Sequence, residues 1–334
     1  MPVTIKDIAK VAGVSHTTVS RALNGNPAIS FETTERIQQL ARQMGYVPSA
    51  VAQSLLSRRT QTIGMVITTI ADPFIVQVVE GAEQVAQEAG YSIFLNTSHN
   101  NPDQEMAVVE TFQRRRVDAI IVTSSRVGSL YSLQLDQIKV PIVLINNQEE
   151  GEFLYSVAVD NFQGAQLATE HLLTLGHRRI GYVGAADRPK SNGQRLEGYA
   201  TAFKQAGLAL DPALVISLPA NTDLERGRAS LETLRTAHAT AAFCYNDLTA
   251  IGLLLECHQQ GIAVPQELSI IGFDDIEPAL YTTPTLTTIH QPRFKLGQLA
   301  MTMTLKLLDG QEVQDQRLPC NLIVRESTRQ YPNP

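Results

Sequence analysis

His16, Thr17 and Arg21 share one side of the short stretch HTTVSRAL, whose other side carries Val19 and Leu23. An arginine that can form two hydrogen bonds to guanine O6 and N7, beside two short polar side chains at a helix start, is chemistry for reading base edges in a major groove. That chemistry needs a rigid carrier, and the preceding residues supply one. Ile5, Ile8, Ala9 and Ala12 recur at helical spacing, and Gly13-Val14-Ser15 then breaks the run. Two short helices joined by a glycine-containing turn predict a helix-turn-helix with its second helix sized for the groove. Thr4, Ser15 and Ser30 are read as hydroxyls and helix N-termini that face phosphates, which position the head without reading sequence. Ser30 also opens a third helix with an apolar stripe of Ile37, Leu40, Ala41 and Met44, ended by Gly45.

Charge supports the same division of labour. The net charge is -6, yet residues 1–60 hold seven Lys or Arg against three Asp or Glu, and the remaining 274 residues hold 20 against 30. A basic head on an acidic body suits a module that meets DNA attached to one that does not. Cys244, Cys257 and Cys320 have neither metal-ligand spacing nor an even disulfide framework, so they are expected as buried thiols, with no metal and no cofactor. There is no export signal and no apolar run of about 18 residues, so no membrane partner is expected and the cytoplasm is the default.

Beyond Thr62 the texture changes. IGMVIT (63–68), YSIFLN (91–96), DAIIVT (118–123) and PIVLIN (141–146) alternate with helical stretches, and the alternation starts again with SVAV (156–159), RIGYVG (179–184), TAAFCY (240–245) and LSIIGF (268–273). Such runs predict two parallel sheets covered on both faces by helices. A last helix (293–308) and strand (320–325) are read as crossing back between the two lobes. The expected organisation is a small all-α head over 1–47, a hinge helix or linker over 48–61, and an α/β body over 62–334. Within the body, one lobe covers about 62–160 with 293–318, and the other about 161–292 with 319–330.

TIKDIAKVAGVSHTTVSRALNG, GYVPSAVAQSL and LSIIGFDDIEPALYTTPTLTTIHQP, with ADPF (71–74), QRLEGY (194–199) and FCYND (243–247), resemble the lactose/galactose repressor family of bacterial transcription regulators over essentially the whole chain. The resemblance implies a homodimer on a pseudo-palindromic double-stranded operator, with a small molecule between two periplasmic-binding-protein-like lobes. It implies base reading by His16, Thr17 and Arg21, and a minor-groove wedge at Leu55 in the hinge. In the cleft it implies Phe74, after Asp72-Pro73, as an apolar platform, Arg195 as a fork of donors, and Asn246 with Asp274 as a clamp on hydroxyls. Thr123 or Ser124, Asn147 and Ser191 complete the polar wall.

This donor and acceptor set suits a polyhydroxylated ring and favours a sugar or sugar derivative. A purine- or nucleoside-responsive regulator of the same family is the alternative, and a solute-binding protein without a DNA role is more distant. Family members often carry an aromatic residue five positions before the glycine matched by Gly227, and here Thr222 stands there. Arg188 and Lys190 raise an anionic effector, but are read as solvent-exposed loop charges. Asp274-Asp275 as a metal pair is rejected for want of His or Cys ligands. No nucleophile elbow, phosphate loop or zinc motif occurs, so catalysis is not expected. The chain stops at Pro334 without a leucine-heptad tail, which predicts a dimer rather than a tetramer.

Overall fold

A computed structural model describes residues 3–47, 59–127, 140–149 and 155–332, which fall into two units, Met1–Thr60 and Gln61–Pro334. Most of the expected hinge, including Leu55, lies outside the described residues.

The first unit is three helices around one small core: α1 (Ile5–Ala12), α2 (His16–Leu23) and α3 (Phe31–Gln43). Ile8, Ala9, Val19, Ala22, Ile37 and Ala41 form its buried centre. Local chemistry fixes each boundary. Thr4 and Asp7 make a reciprocal capping box at α1, and Gly13 ends that helix in the left-handed region at φ 68°. Ser15 caps α2 through the Thr18 amide, and Ser30 caps α3 through that of Thr33.

The second unit contains two parallel sheets. β1 (Thr62–Ile67), β2 (Ser92–Thr97), β3 (Ala119–Thr123), β4 (Ile142–Ile145), β5 (Ser156–Val159) and β11 (Gln316–Leu318) form the first, in the order β11-β5-β4-β3-β1-β2. β6 (Ile180–Val183), β7 (Val215–Ile216), β8 (Ala241–Cys244) and β9 (Ser269–Ile271) form the second, in the order β7-β6-β8-β9. The central strands are buried from end to end, which is why they read as unbroken apolar runs. SVAV, grouped above with the second set, is the fifth strand of the first sheet. It pairs with β4 through Leu144–Ser156 and Ile145–Val157.

Flanking helices are α4 (Pro73–Glu88), α5 (Pro102–Arg114), α6 (Asn161–Thr174), α7 (Pro189–Gln205), α8 (Asp223–Thr236), α9 (Asp247–Gln259) and α10 (Arg293–Leu308). α10 comes from the far end of the chain yet packs on α4, against the first sheet. Glycines at the crossing let the backbones meet: a Cβ on Gly297 would lie 1.9 Å from the Val78 carbonyl oxygen, and one on Gly81 2.0 Å from that of Phe294. β10 (Thr288–His290) then pairs antiparallel with β12 (Asn321–Ile323), so the chain passes between the lobes at several places. Cys244, Cys257 and Cys320 are free and buried.

Candidate functional site

On the first unit, His16, Thr17 and Arg21 are exposed along one side of α2, while Val19 and Ala22 enter the core. None of the three has a side-chain hydrogen bond or ion pair to a described residue, so their polar atoms are open to an external partner. Thr4, Ser15 and Ser30 are exposed as well, but their hydroxyls already serve as caps. The Thr4 hydroxyl donates to Asp7 at 2.7 Å, and that of Ser30 donates to Thr33 at 2.8 Å. Hydrogen bonds from Thr4 hold the Asp7 carboxyl below its usual range.

In the second unit, the carboxyl ends of both sheets open onto a shared cavity of about 610 Å³, counting the space that meets solvent. This is where open parallel sheets place ligands. The first lobe contributes Asp72 and Phe74 from the start of α4, Ser124 and Arg126 after β3, and Asn146 and Gln148 after β4. The other contributes Asp187 and Arg188 after β6, Ser191 and Arg195 from α7, Tyr245 after β8, and Asp274 after β9. Asn161 and Gln291 complete the wall. Ser124, Asn146 and Asp274 hold positive φ angles of 51°, 49° and 125°, which cost side-chain-bearing residues about 1–3 kcal/mol each and persist only where surroundings impose them.

Six residues expected in the cleft line it: Asp72, Phe74, Ser124, Ser191, Arg195 and Asp274. Three others do not. Thr123 is buried and donates to the Val66 carbonyl at 3.3 Å. Asn147 turns away and donates to the Glu149 carbonyl at 3.0 Å. Asn246 caps α9, accepting from the Thr249 amide and hydroxyl at 2.9 and 2.8 Å, and donates to Asp223 at 2.7 Å. Its amide oxygen and one N–H are engaged inside the protein, and it does not line the cavity, so the side chain serves as a cap where a clamp on ligand hydroxyls was expected.

Arg195 lies flat between aromatic faces, its guanidinium carbon 3.7 Å from the Phe273 ring centre and 4.3 Å from that of Tyr245. It donates to Asn161 at 2.9 Å and to the Tyr245 carbonyl. The aromatic wall absent at Thr222, which caps α8, is supplied by Tyr245. Arg188 also departs from its expected role as a loop charge. Its guanidinium sits 5.5 Å from the Tyr245 ring centre, with Asp223 at 3.3 Å. Behind it Arg226, 3% exposed, bridges Asp223 and Asp187. Burial opposes the Asp223 charge, but Arg188, Asn246 and Arg226 outweigh it and hold the carboxyl below its usual range.

At the opposite wall, burial pushes Asp274 up to about 8 and its neighbour Asp247 up to about 6, while burial also raises Asp72. Gln291 donates to Asp274 at 2.5 Å, and its own carbonyl oxygen has no partner. Asp275 points elsewhere, held by His290 at 2.8 Å and Arg325 at 2.5 Å.

Across the cavity, Gln148 Oε1 from one lobe accepts from the Ser191 amide at 3.3 Å and hydroxyl at 2.9 Å on the other. Ser191 Oγ also lies 2.7 Å from the Tyr245 hydroxyl. Gln148, Arg126, Tyr245, Asn161 and Gln291 were not singled out in the sequence. Gln148, Arg126 and Tyr245 carry a positional signal, since they lie within three residues of the carboxyl ends of β4, β3 and β8.

Residues 4–49 match the model for "bacterial regulatory proteins, lacI family", and residues 169–328 match that for a periplasmic binding protein-like domain. The HTH-type transcriptional repressor PurR of Erwinia tasmaniensis is 32% identical over 98% of this chain and 98% of its own. Among solved structures, the lac repressor dimer bound to operator and the anti-inducer ONPF superposes with a TM-score of 0.86 at 26% identity, covering 98% of this chain and 100% of that one. The complex of the transcriptional regulator CelR with cellobiose gives 0.73 at 27% identity, covering 97% and 99%. No helix among the described residues is long and apolar enough to cross a membrane. Head, two-lobed body and relatives agree: the chain belongs to the lacI family of bacterial regulatory proteins, as a DNA-binding transcriptional repressor controlled by a small molecule, and is not an enzyme.

Proposed function

We propose that the protein acts in the cytoplasm as a homodimer on a pseudo-palindromic operator, and that a sugar or sugar derivative in the cleft sets its grip on DNA. The head over 1–47 reads bases with His16, Thr17 and Arg21, and Thr4, Ser15 and Ser30 set its position on the phosphates. The hinge over 48–61 inserts Leu55 into the minor groove. The body over 62–334 holds the effector against Asp72, Phe74, Ser124, Ser191, Arg195 and Asp274. Two dimerisation surfaces are available. The edge strand β2 exposes Phe94 and Leu95, and the other lobe exposes Leu280 and Tyr281, more apolar surface than an isolated body needs. A relative solved as a dimer on its operator supports this reading.

The observation that carries the effector role is the pairing of Gln148 with Ser191 across the cavity, because a ligand that alters this contact alters the angle between lobes. Coupling follows from unequal binding to two lobe arrangements, each 1.4 kcal/mol changing operator affinity about tenfold. The mixed donors and acceptors of the wall suit vicinal hydroxyls, and the cellobiose complex of a relative supports a sugar. The test is selection of duplexes from a random pool by full-length protein, with and without a panel of sugars, sugar phosphates and nucleosides. Enrichment of a two-fold symmetric sequence, altered by one class of metabolite, is expected. Equal retention of all duplexes under every condition refutes the proposal.

A further inference from the structure

The charges around the cleft are not evenly matched. Asp187 is held by Arg226 at 2.6 Å, and Asp223 by Arg188 and Arg226. Asp72 accepts from the Phe74 amide at 2.9 Å as the cap of α4, and Asp274 accepts from Gln291. Arg126 is different. It lines the cavity, and its side chain forms no ion pair with any described residue. Its backbone is fixed by the buried Glu105, which accepts from the Arg126 amide at 3.1 Å and the Ser125 hydroxyl at 2.5 Å. The unmatched cation is therefore presented by an anchored segment rather than a loose loop.

The same end of the cleft meets the N-terminus of α7, seventeen residues long, with no side-chain cap of its own. Gln148 supplies the missing acceptor from the opposite lobe through its contacts to Ser191 N and Oγ. Gln148 and Arg126 are adjacent in space, because the Gln148 amide donates to the Ser125 carbonyl at 2.9 Å. An oxygen thus already occupies the helix N-terminus, where negative charge is most stabilised, and Arg126 lines the same cavity.

We propose that the effector carries an anionic group, a phosphate ester or a carboxylate, whose oxygens replace Gln148 Oε1 on Ser191 and pair with Arg126. This rests on the cleft being the effector site and names the class it takes. A planar guanidinium and two donors on Ser191 match an anion with several oxygens, whereas a neutral hydroxyl leaves the Arg126 charge unmatched. Asp72, which caps the helix at Phe74, and Asp274, 4.0 Å from Arg195, remain for the hydroxyls of the same molecule, while Asp187 stays paired with Arg226.

Calorimetric titration of full-length protein tests this with matched probes: glucose and glucose 6-phosphate, ribose and ribose 5-phosphate, gluconate, adenosine, and inorganic phosphate. At least one anionic probe is expected to bind ten or more times more tightly than its neutral parent, to weaken as salt is raised, and to lose about tenfold in R126Q. R126Q is expected to melt like the parent protein, since the side chain has no ion pair to lose among the described residues. Tight binding of a neutral sugar or adenosine, unchanged in R126Q, overturns the proposal and leaves the cleft reading standing. Anion binding unchanged in R126Q also overturns it. A panel without any binder, charged or neutral, overturns both.

Discussion

Substituting Gln148→Ala removes one acceptor that serves two donors on the facing lobe, the Ser191 amide at 3.3 Å and hydroxyl at 2.9 Å. Both residues are buried, so neither donor has ready access to water when the lobes stay together. A hydrogen bond of this kind contributes about 0.5–1.5 kcal/mol net, so the pair contributes about 2 kcal/mol to keeping the lobes together. That corresponds to a shift of about 30-fold in the equilibrium between joined and parted lobes. The Ser191 amide is the direct reporter. Hydrogen exchange over peptides spanning 186–196 should show protection reduced by up to about 30-fold in Q148A. Q148E, which keeps the acceptors, should restore most of it. The head should be unaffected, which separates this effect from general destabilisation. Protection within twofold of the parent protein in Q148A would refute the idea that this contact joins the lobes.

Arg21→Ala should relax base preference at one position of each operator half-site, with a loss of about 1–3 kcal/mol there if the contact is the two-pronged one to guanine; a uniform loss over all sequences, measured by competition with single-base operator variants, would make it a phosphate contact. Leu55→Ala should weaken binding to the selected operator far more than to random duplex, and equal losses in a gel-shift series would reject the wedge. Asp274→Asn bears on pH. An acid whose folded pKa is raised binds its proton more tightly in the folded state, so its contribution to stability is lost as pH rises from its unfolded value near 4 to about 8. Melting of the parent protein should therefore fall across that window more steeply than melting of D274N, with Asp247 leaving a residual slope below about pH 6; parallel profiles would show that Asp274 ionises normally.

The local features were legible because they obey local rules. The turn at Gly13, the caps at Ser15 and Ser30, and the exposed row His16, Thr17, Arg21 each follow from a few neighbouring residues. The strands were legible because burial on both faces leaves unbroken apolar runs, and the three that were missed, β7, β10 and β11, are only two or three residues long. The cleft divides along a similar line. Phe74, in the first turn of α4, and Arg195, in the second turn of α7, line the space between the sheets, where helical position places them. Asn246 also sits at a helix start, but as the cap residue itself, and the need to satisfy the first amides of α9 takes its side chain.

Arg188 reads as a loop charge until α8 is folded against α7's entrance, because its partner Asp223 is thirty-five residues away. Gln148 and Ser191, forty-three residues apart, meet only when both lobes are in place. A hydrogen bond between lobes reports their arrangement only because no single element determines it. The residues hardest to find from sequence are therefore the ones best placed to act as the switch: a contact set by one helix would persist in both arrangements and could not distinguish them.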